Sequence, residues 1–356
     1  MTGFTRRELL SISGATAASL ALIESGRWSP AWAEDKFTIA STGGSWGEGV
    51  RESFVVAPKF AETHKLAVDY AQQLESVATA KIIAQCGNPP YTVAGHGEAE
   101  AILMADGGCV DGYDLNIVTN YKNIYDTAKL PGRNGLDAWW ASFMMLAFGL
   151  VYNTKETAKP ASFQDLFSDK NKNRIGIPSY SWYGMYWLHA FNKSLGGNED
   201  NISPGMEATA RLVKQHGAII IENVDQGMKA FTRGEIAIAP FWNGRAFALQ
   251  ENGVPVDIVY PKGSIQVGSG AIILKGTRFR EAAQHYVNNT LNGEFQLGMT
   301  ERFKYPPSNK TTKLPPKIAG YAIPEAGFAN MTPLDWAKIN ANREKYLDRW
   351  NKEVLA

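Results

Sequence analysis

Short apolar runs alternate with amphipathic stretches along most of the chain. Phe37-Thr-Ile-Ala-Ser41 predicts a strand, Gly43-Gly44 breaks it, and a helix is expected over 47–63. Leu66-Ala-Val-Asp-Tyr-Ala71 predicts a second strand, followed by a helix over 78–85, a strand at Tyr91-Thr-Val-Ala94 and a helix over 98–106. Strands of four to six residues separated by helices of about ten are the pattern of βαβ units in a mostly parallel sheet.

The run at 142–152 is apolar and broken only by Gly149, and it predicts a strand passing from one lobe to another. A second series follows, with strands at 174–178, 218–222, 235–240 and 256–260 and helices over 185–195, 206–215 and 226–233. Gly268-Ser-Gly-Ala-Ile-Ile-Leu274 predicts a return strand into the first lobe, helices close the chain at 280–291 and 335–352, and 305–333 is loop-rich. The crossings, and with them the hinge, are expected near 150–153 and 260–262. Ligands of open parallel sheets sit beyond the carboxyl ends of the strands, where helices begin. Two such lobes face to face predict a clamshell closing on a small solute.

The N-terminus changes where this happens. Residues 1–33 combine Arg6-Arg7 within Thr-Arg-Arg-Glu-Leu-Leu, a short Gly/Ala/Ser/Leu stretch and Ala31-Trp32-Ala33. That order predicts a twin-arginine signal peptide and function in the periplasm. Its apolar core of about ten residues is half of the roughly 20 needed to span a bilayer. Losing it removes Arg6, Arg7 and Arg27 against Glu8 and Glu24, taking the net charge from +1 to 0. A balanced chain offers no basic face for nucleic acid. The remaining 323 residues exceed what one core usually holds, so two lobes are expected. Twenty-two residues lie between Cys86 and Cys109. A disulfide suits the compartment, two buried thiols fit as well, and nothing around them forms a metal-ligand pattern.

Ser41-Thr-Gly-Gly-Ser-Trp-Gly47, Pro90-Tyr-Thr-Val93, Leu150-Val-Tyr-Asn-Thr-Lys155, the run from Arg233 to Gly244 ending Pro-Phe-Trp-Asn-Gly, and Lys304-Tyr-Pro-Pro-Ser-Asn309 stand in a telling order. The chain resembles the extracellular solute-binding proteins of ABC importers, within them the spermidine/putrescine-binding branch, over its whole mature length. The resemblance implies an α/β, two-lobed, type II-like periplasmic binding fold with hinge crossovers. Lobe one would hold 34–147 and 264–312, and lobe two 148–263 and 313–356. It implies a monomer that binds a solute, serves a permease in the inner membrane, needs no cofactor and catalyses nothing.

Carried over position by position, the ligand contacts are Gly44, Ser45 and Trp46 after the first strand, His96 after the third, and Ser181 and Trp182 in the Tyr180–Tyr183 loop. Asp225, Trp242, Asn243, Arg245, Ser269 and Tyr305 complete the set. The branch places carboxylates in the loop at 179–183 and near 269, and this chain has none there, while Arg245 adds a cation. An unpaired ammonium in a closed cleft is costly. A carboxylate or zwitterionic ligand is therefore expected rather than spermidine, held between Trp46, Trp182, Tyr183 and Trp242. Tyr183 is also expected to share a core-facing side with Trp187. Polyamine, iron(III) and thiamine binding are the alternatives within transport. A periplasmic enzyme is the alternative outside it, although no His-Glu-x-x-His, Cys-x-x-Cys or P-loop motif is present.

Overall fold

The computed structural model describes residues 36–356, without the side chains of Trp182 and Glu325. The expected signal peptide lies outside the described residues. The first sheet has five strands: β1 (Lys36–Ser41), β2 (Ala67–Gln72), β3 (Val93–His96), β4 (Val110–Asp111) and β11 (Gly270–Leu274). Their order is β2-β1-β3-β11-β4. β1 runs parallel to β2 and β3, whereas β11 returns antiparallel between β3 and β4. The second sheet holds β5 (Leu146–Asn153), β8 (Ile238–Trp242), β9 (Val256–Val259) and β10 (Ile265–Val267). The parallel pair β6 (Gly176–Pro178) and β7 (Ile219–Ile221) joins it through a bridge between Ile175 and Ile238. The fold is a two-lobed α/β architecture, with one sheet to each lobe.

The chain passes between the sheets at two neighbouring places. Ser142 bridges Gly270 of the first sheet, and four residues later β5 begins in the second. β10 pairs with β5 from Ile265 opposite Phe148 to Val267 opposite Leu146. Only Gly268 and Ser269 then separate it from β11. The crossings therefore lie near 144–146 and 268–269, not near 150–153 and 260–262 as the hydrophobic pattern suggested. β5 is buried along its whole length, with β8 on one side and β9 and β10 on the other. Its apolar run marks a central strand of the second lobe rather than a hinge.

The helices are α1 (Gly44–Arg51), α2 (Glu75–Ala84), α3 (Glu98–Asp106), α4 (Met185–Ser194), α5 (Ser203–His216), α6 (Val224–Thr232), α7 (Asn243–Glu251), α8 (Arg280–Thr290), α9 (Gly293–Phe303), α10 (Trp336–Ala341) and α11 (Arg343–Trp350). The single helix expected over 47–63 is broken. A π-helical turn over Glu52–Val56 follows α1, and Lys59, with φ of 50°, starts a separate short helix. No helix over 293–303 was legible in the apolar pattern, because Gly293 and Gly298 dilute it. Asn292 nevertheless caps α9, its side-chain oxygen accepting the N–H groups of Glu294 and Phe295. Among the described residues no helix is long and apolar enough to cross a membrane.

Trp139, Trp140, Trp187, Phe37, Phe54 and Phe148 are fully buried, so both lobes carry large aromatic cores. Cys86 and Cys109 are joined in a disulfide with Cα atoms 5.0 Å apart, which decides between the two states the sequence allowed. After its last strand the chain reaches both lobes once more. Asn330 donates to the Tyr260 carbonyl and Asp335 donates its N–H to Glu199, both on the second-lobe side. α10 then packs on α3, where Asn340 donates to the Ala99 carbonyl and Arg343 pairs with Glu100 at 2.7 Å. Residues 351–355 return to α5.

Candidate functional site

α1, α2 and α3 each begin just after β1, β2 and β3, and α6 and α7 begin just after β7 and β8. Five helix N-termini therefore meet where the sheets face each other. Between them lies a cavity of about 190 Å³, lined by Thr42, Trp46 and Glu75 from the first lobe and Tyr183, Val224, Trp242 and Arg245 from the second. Leu146, Val267, Gly268 and Ser269 at the two crossings close its floor, with Tyr305 alongside. A second chamber of about 330 Å³ shares Thr42, Glu75 and Tyr183 with the first and extends past Tyr180, Ser181 and Tyr186 to Glu100 and Arg343.

The walls are aromatic and mutually braced. Trp46 lies 5.0 Å from Phe303 and 6.0 Å from Phe143 between ring centres, and Trp242 stands 4.0 Å from Phe148 and edge-on to Tyr183 at 4.8 Å. Tyr305 approaches α7 closely because residue 244 is glycine. A Cβ there would fall 2.4 Å from the Phe303 carbonyl oxygen and 2.7 Å from the Tyr305 ring. That contact is the physical content of the Trp-Asn-Gly motif. It also seats the Arg245 guanidinium over the rings of Phe303 and Tyr305, at 5.7 and 5.8 Å. Burial pushes the Tyr305 phenol above its ordinary value, and the adjacent Arg245 charge pulls it back. Arg245 Nε is buried with no hydrogen-bond partner.

Of the sequence-predicted contacts, Trp46, Trp242, Arg245, Ser269 and Tyr305 come together around this cavity, and Ser181 lines the second chamber. Gly44 and Ser45 are exposed on the outer turn of α1, where Gly44 takes a φ of +66° that favours glycine. Asp225 is exposed as well, and its neighbour Val224 reaches the cavity instead. Asn243 is fully buried and accepts the Ala147 N–H while donating to the Met145 carbonyl, so it fastens α7 to the crossing. His96 is 1% exposed and lies behind the wall, its Nε2 3.1 Å from the Glu75 carbonyl oxygen. A histidine between two glycines looked accessible, but Gly95 and His96 pair with Ala271 and Gly270 of β11 inside the sheet. The Trp182 side chain lies outside the described residues.

Two acidic residues were not foreseen. Glu75 and Glu98 are the first residues of α2 and α3, so both carboxyls sit at helix starts beyond parallel strands. Glu75 accepts the Gly97 N–H at 3.1 Å, and Glu98 accepts the Gly268 N–H. Burial pushes both above the usual carboxylate range, Glu98 to about 8. The resemblance points to carboxylates at 179–183 and near 269, and to Asp225, rather than to these two positions. The signal that locates them is topological: an acidic residue opening the helix that follows a parallel strand. Among the described residues no group of three or more His, Cys, Asp or Glu side chains is placed to hold a metal ion.

A family model described as bacterial extracellular solute-binding protein matches residues 56–325, well over half of the chain. The spermidine/putrescine-binding periplasmic protein of Escherichia coli K12 is 29% identical over 225 residues, covering 61% of this chain and 63% of that protein. The chain thus matches somewhat less than two thirds of this curated relative's length. Among solved structures, an ABC transporter protein from Clostridium perfringens superposes with a TM-score of 0.74 at 19% identity, over 90% of this chain and all of that one. A protein described as a GABA receptor superposes with a TM-score of 0.73 at 18% identity, over 88% and 96% of the two chains. These likenesses establish the fold.

Proposed function

Because this chain belongs to the bacterial extracellular solute-binding proteins, we propose that it captures a small carboxylate-bearing solute in the periplasm and delivers it to the permease of an ABC importer. It binds and does no chemistry. The observation that carries the solute class is Arg245: a cation in an aromatic cavity with a buried Nε that no protein group satisfies. The Tyr305 phenol bonds the guanidinium but brings no opposite charge, and a carboxylate supplies both the charge and the acceptor oxygens. A polyamine such as the named ligands of the Escherichia coli relative would instead bring further positive charge next to Arg245. The lobes divide at the crossings near 144–146 and 268–269, residues 313–356 belong mainly with the second lobe, and the chain acts as a monomer. Arg6-Arg7 and Ala31-Trp32-Ala33 support export by the twin-arginine route.

Calorimetry with ω-amino acids, short hydroxy acids, putrescine and spermidine tests this reading. Carboxylate-bearing compounds should bind best, and Arg245→Met should weaken them at least tenfold, or about 1.4 kcal/mol. Putrescine binding more tightly than every carboxylate, with Arg245→Met leaving it unchanged, would remove Arg245 from the site and restore the polyamine reading.

A further inference from the structure

We propose that Glu75 and Glu98 form an ammonium subsite, sharing one proton while the cleft is empty and releasing it when a cationic group of the solute enters. The proposal deepens the carboxylate reading at Arg245 and rests on it for the solute's class. A molecule that meets Arg245 with one end and this pair with the other is a zwitterion.

The two carboxyls are brought together by backbone rather than by each other's side chains. Glu75 Oε2 holds the N–H of Gly97, the residue immediately before Glu98. Glu98 Oε1 holds the N–H of Gly268, which is itself part of the cavity floor. Glu98 Oε2 is buried and has no partner at all. Glu75 lines both chambers, and Glu98 adjoins the first through the Gly268 backbone at its floor.

Among the described residues no salt bridge joins this acidic pair, and the charges of His96 and Arg343 offset only part of the burial that raises Glu75. On α3, Glu100 is occupied by Arg343 from the C-terminal segment. On β3, the His96 ring meets the Glu75 backbone carbonyl. From α4 and the turn before it come the phenols of Tyr186 and Tyr183, both raised well above their ordinary values by burial and by these glutamates. Arg245 stands on the second-lobe wall of the first chamber. Among the described residues no ion pair reaches Glu75 or Glu98. Two ionised carboxylates in such a place repel each other and lack water, so one keeps a proton. Burial is the main cause of the raised Glu98 carboxyl. The backbone N–H groups of Glu98 itself and of Gly268 oppose it, and the charge of Glu75 adds to it.

The exchange balances. In the empty cleft one O–H bond of the pair is intact. As R–NH₃⁺ enters, that bond breaks, the proton leaves to solvent, and the carboxylate pair accepts N–H bonds from the ammonium. At the pair the ammonium charge replaces that of the proton, the solute's own carboxylate is met by Arg245, and one proton is released per solute. Affinity therefore falls by about tenfold for each pH unit below the point where the pair loses its proton.

Calorimetry of the intact chain with 4-aminobutyrate, 5-aminopentanoate and 6-aminohexanoate, in phosphate and in Tris at pH 7, reads the proton directly. The expected result is close to one proton released per solute, none in Glu98→Gln, and weak binding of the matching hydroxy acids. Binding of an amino acid with no proton exchanged overturns the proposal, as does equal affinity for the hydroxy acids. Infrared spectra of the unliganded protein supply a readout that needs no solute. A protonated carboxyl band at neutral pH, lost in Glu98→Gln, supports the shared proton. If that band is present but no amino acid binds, the failure lies with the Arg245 reading. If the band is absent, the pair carries no proton and the proposal falls.

Discussion

His189 lies on α4 with 1% of its surface exposed and neither ring nitrogen partnered. Burial lowers it from the ordinary 6.5 to about 4, with Lys193 adding to the effect and Glu199 opposing it. The unfolded chain then binds more protons than the folded one between those two values, so stability drains away as pH falls through that window. His189→Leu should recover on the order of 3 kcal/mol at pH 4 relative to the parent, measured by thermal or urea unfolding across pH. Little change at pH 8 is expected, because the ring is neutral in both states there. At this scale the sequence was a partial guide. Trp242 and Arg245 could be placed from the motif around them. Whether His96 or Asn243 faced a ligand or the core depended on partners dozens of residues away, Trp140 with its indole on the His96 carbonyl and Ala147 with its N–H on Asn243.

α2 and α3 carry the acidic pair at their N-termini, and the disulfide ties the chain just beyond their C-termini. Cys86 lies two residues past Ala84, and Cys109 three past Asp106. One covalent link therefore sets the spacing of both elements. Replacing both cysteines by serine should cost about 3 kcal/mol on the loop-entropy estimate for a separation of 23 residues. The melting temperature should drop by roughly 5 °C. An unchanged melting temperature would mean that the packing of α2 on α3 alone sets their spacing. Elements were the most legible scale. Strands at 37–41, 66–71 and 256–260 and the helix at 98–106 all appear within about a residue or two of their expected bounds. The misses have local causes. Lys59 in the left-handed region opens a separate short helix inside the stretch expected as one, and two glycines hid α9 from the apolar count.

The two lobes are held by three passages of chain. Two are the adjacent crossings beneath the cavity, and the third is the segment from Asn330 to Arg343. Its pair with Glu100 is asymmetric, the carboxylate buried and the guanidinium about one-third exposed. Arg343→Met strands that carboxylate and should cost about 2 kcal/mol, less than the full penalty for breaking a buried pair because solvent reaches the arginine. Small-angle scattering of the unliganded protein should then show a larger radius of gyration, and the double variant Glu100→Gln/Arg343→Met should regain most of the loss. The clamshell itself was readable from alternating strands and helices. The third passage was not, because amphipathic helices at 335–352 give no sign of which lobe they cover.

That third passage has a consequence for how the protein is made. Every strand of both sheets precedes it in the chain, so a ribosome finishes the material for each lobe before the strap exists. Until Asn340 and Arg343 reach α3, the nascent lobes are joined by the crossings and by the contact of α7 with Phe303 and Tyr305, without the clasp on the far side of the cleft. Docking of the strap is thus the step at which two independently folded halves first acquire a mouth of fixed width.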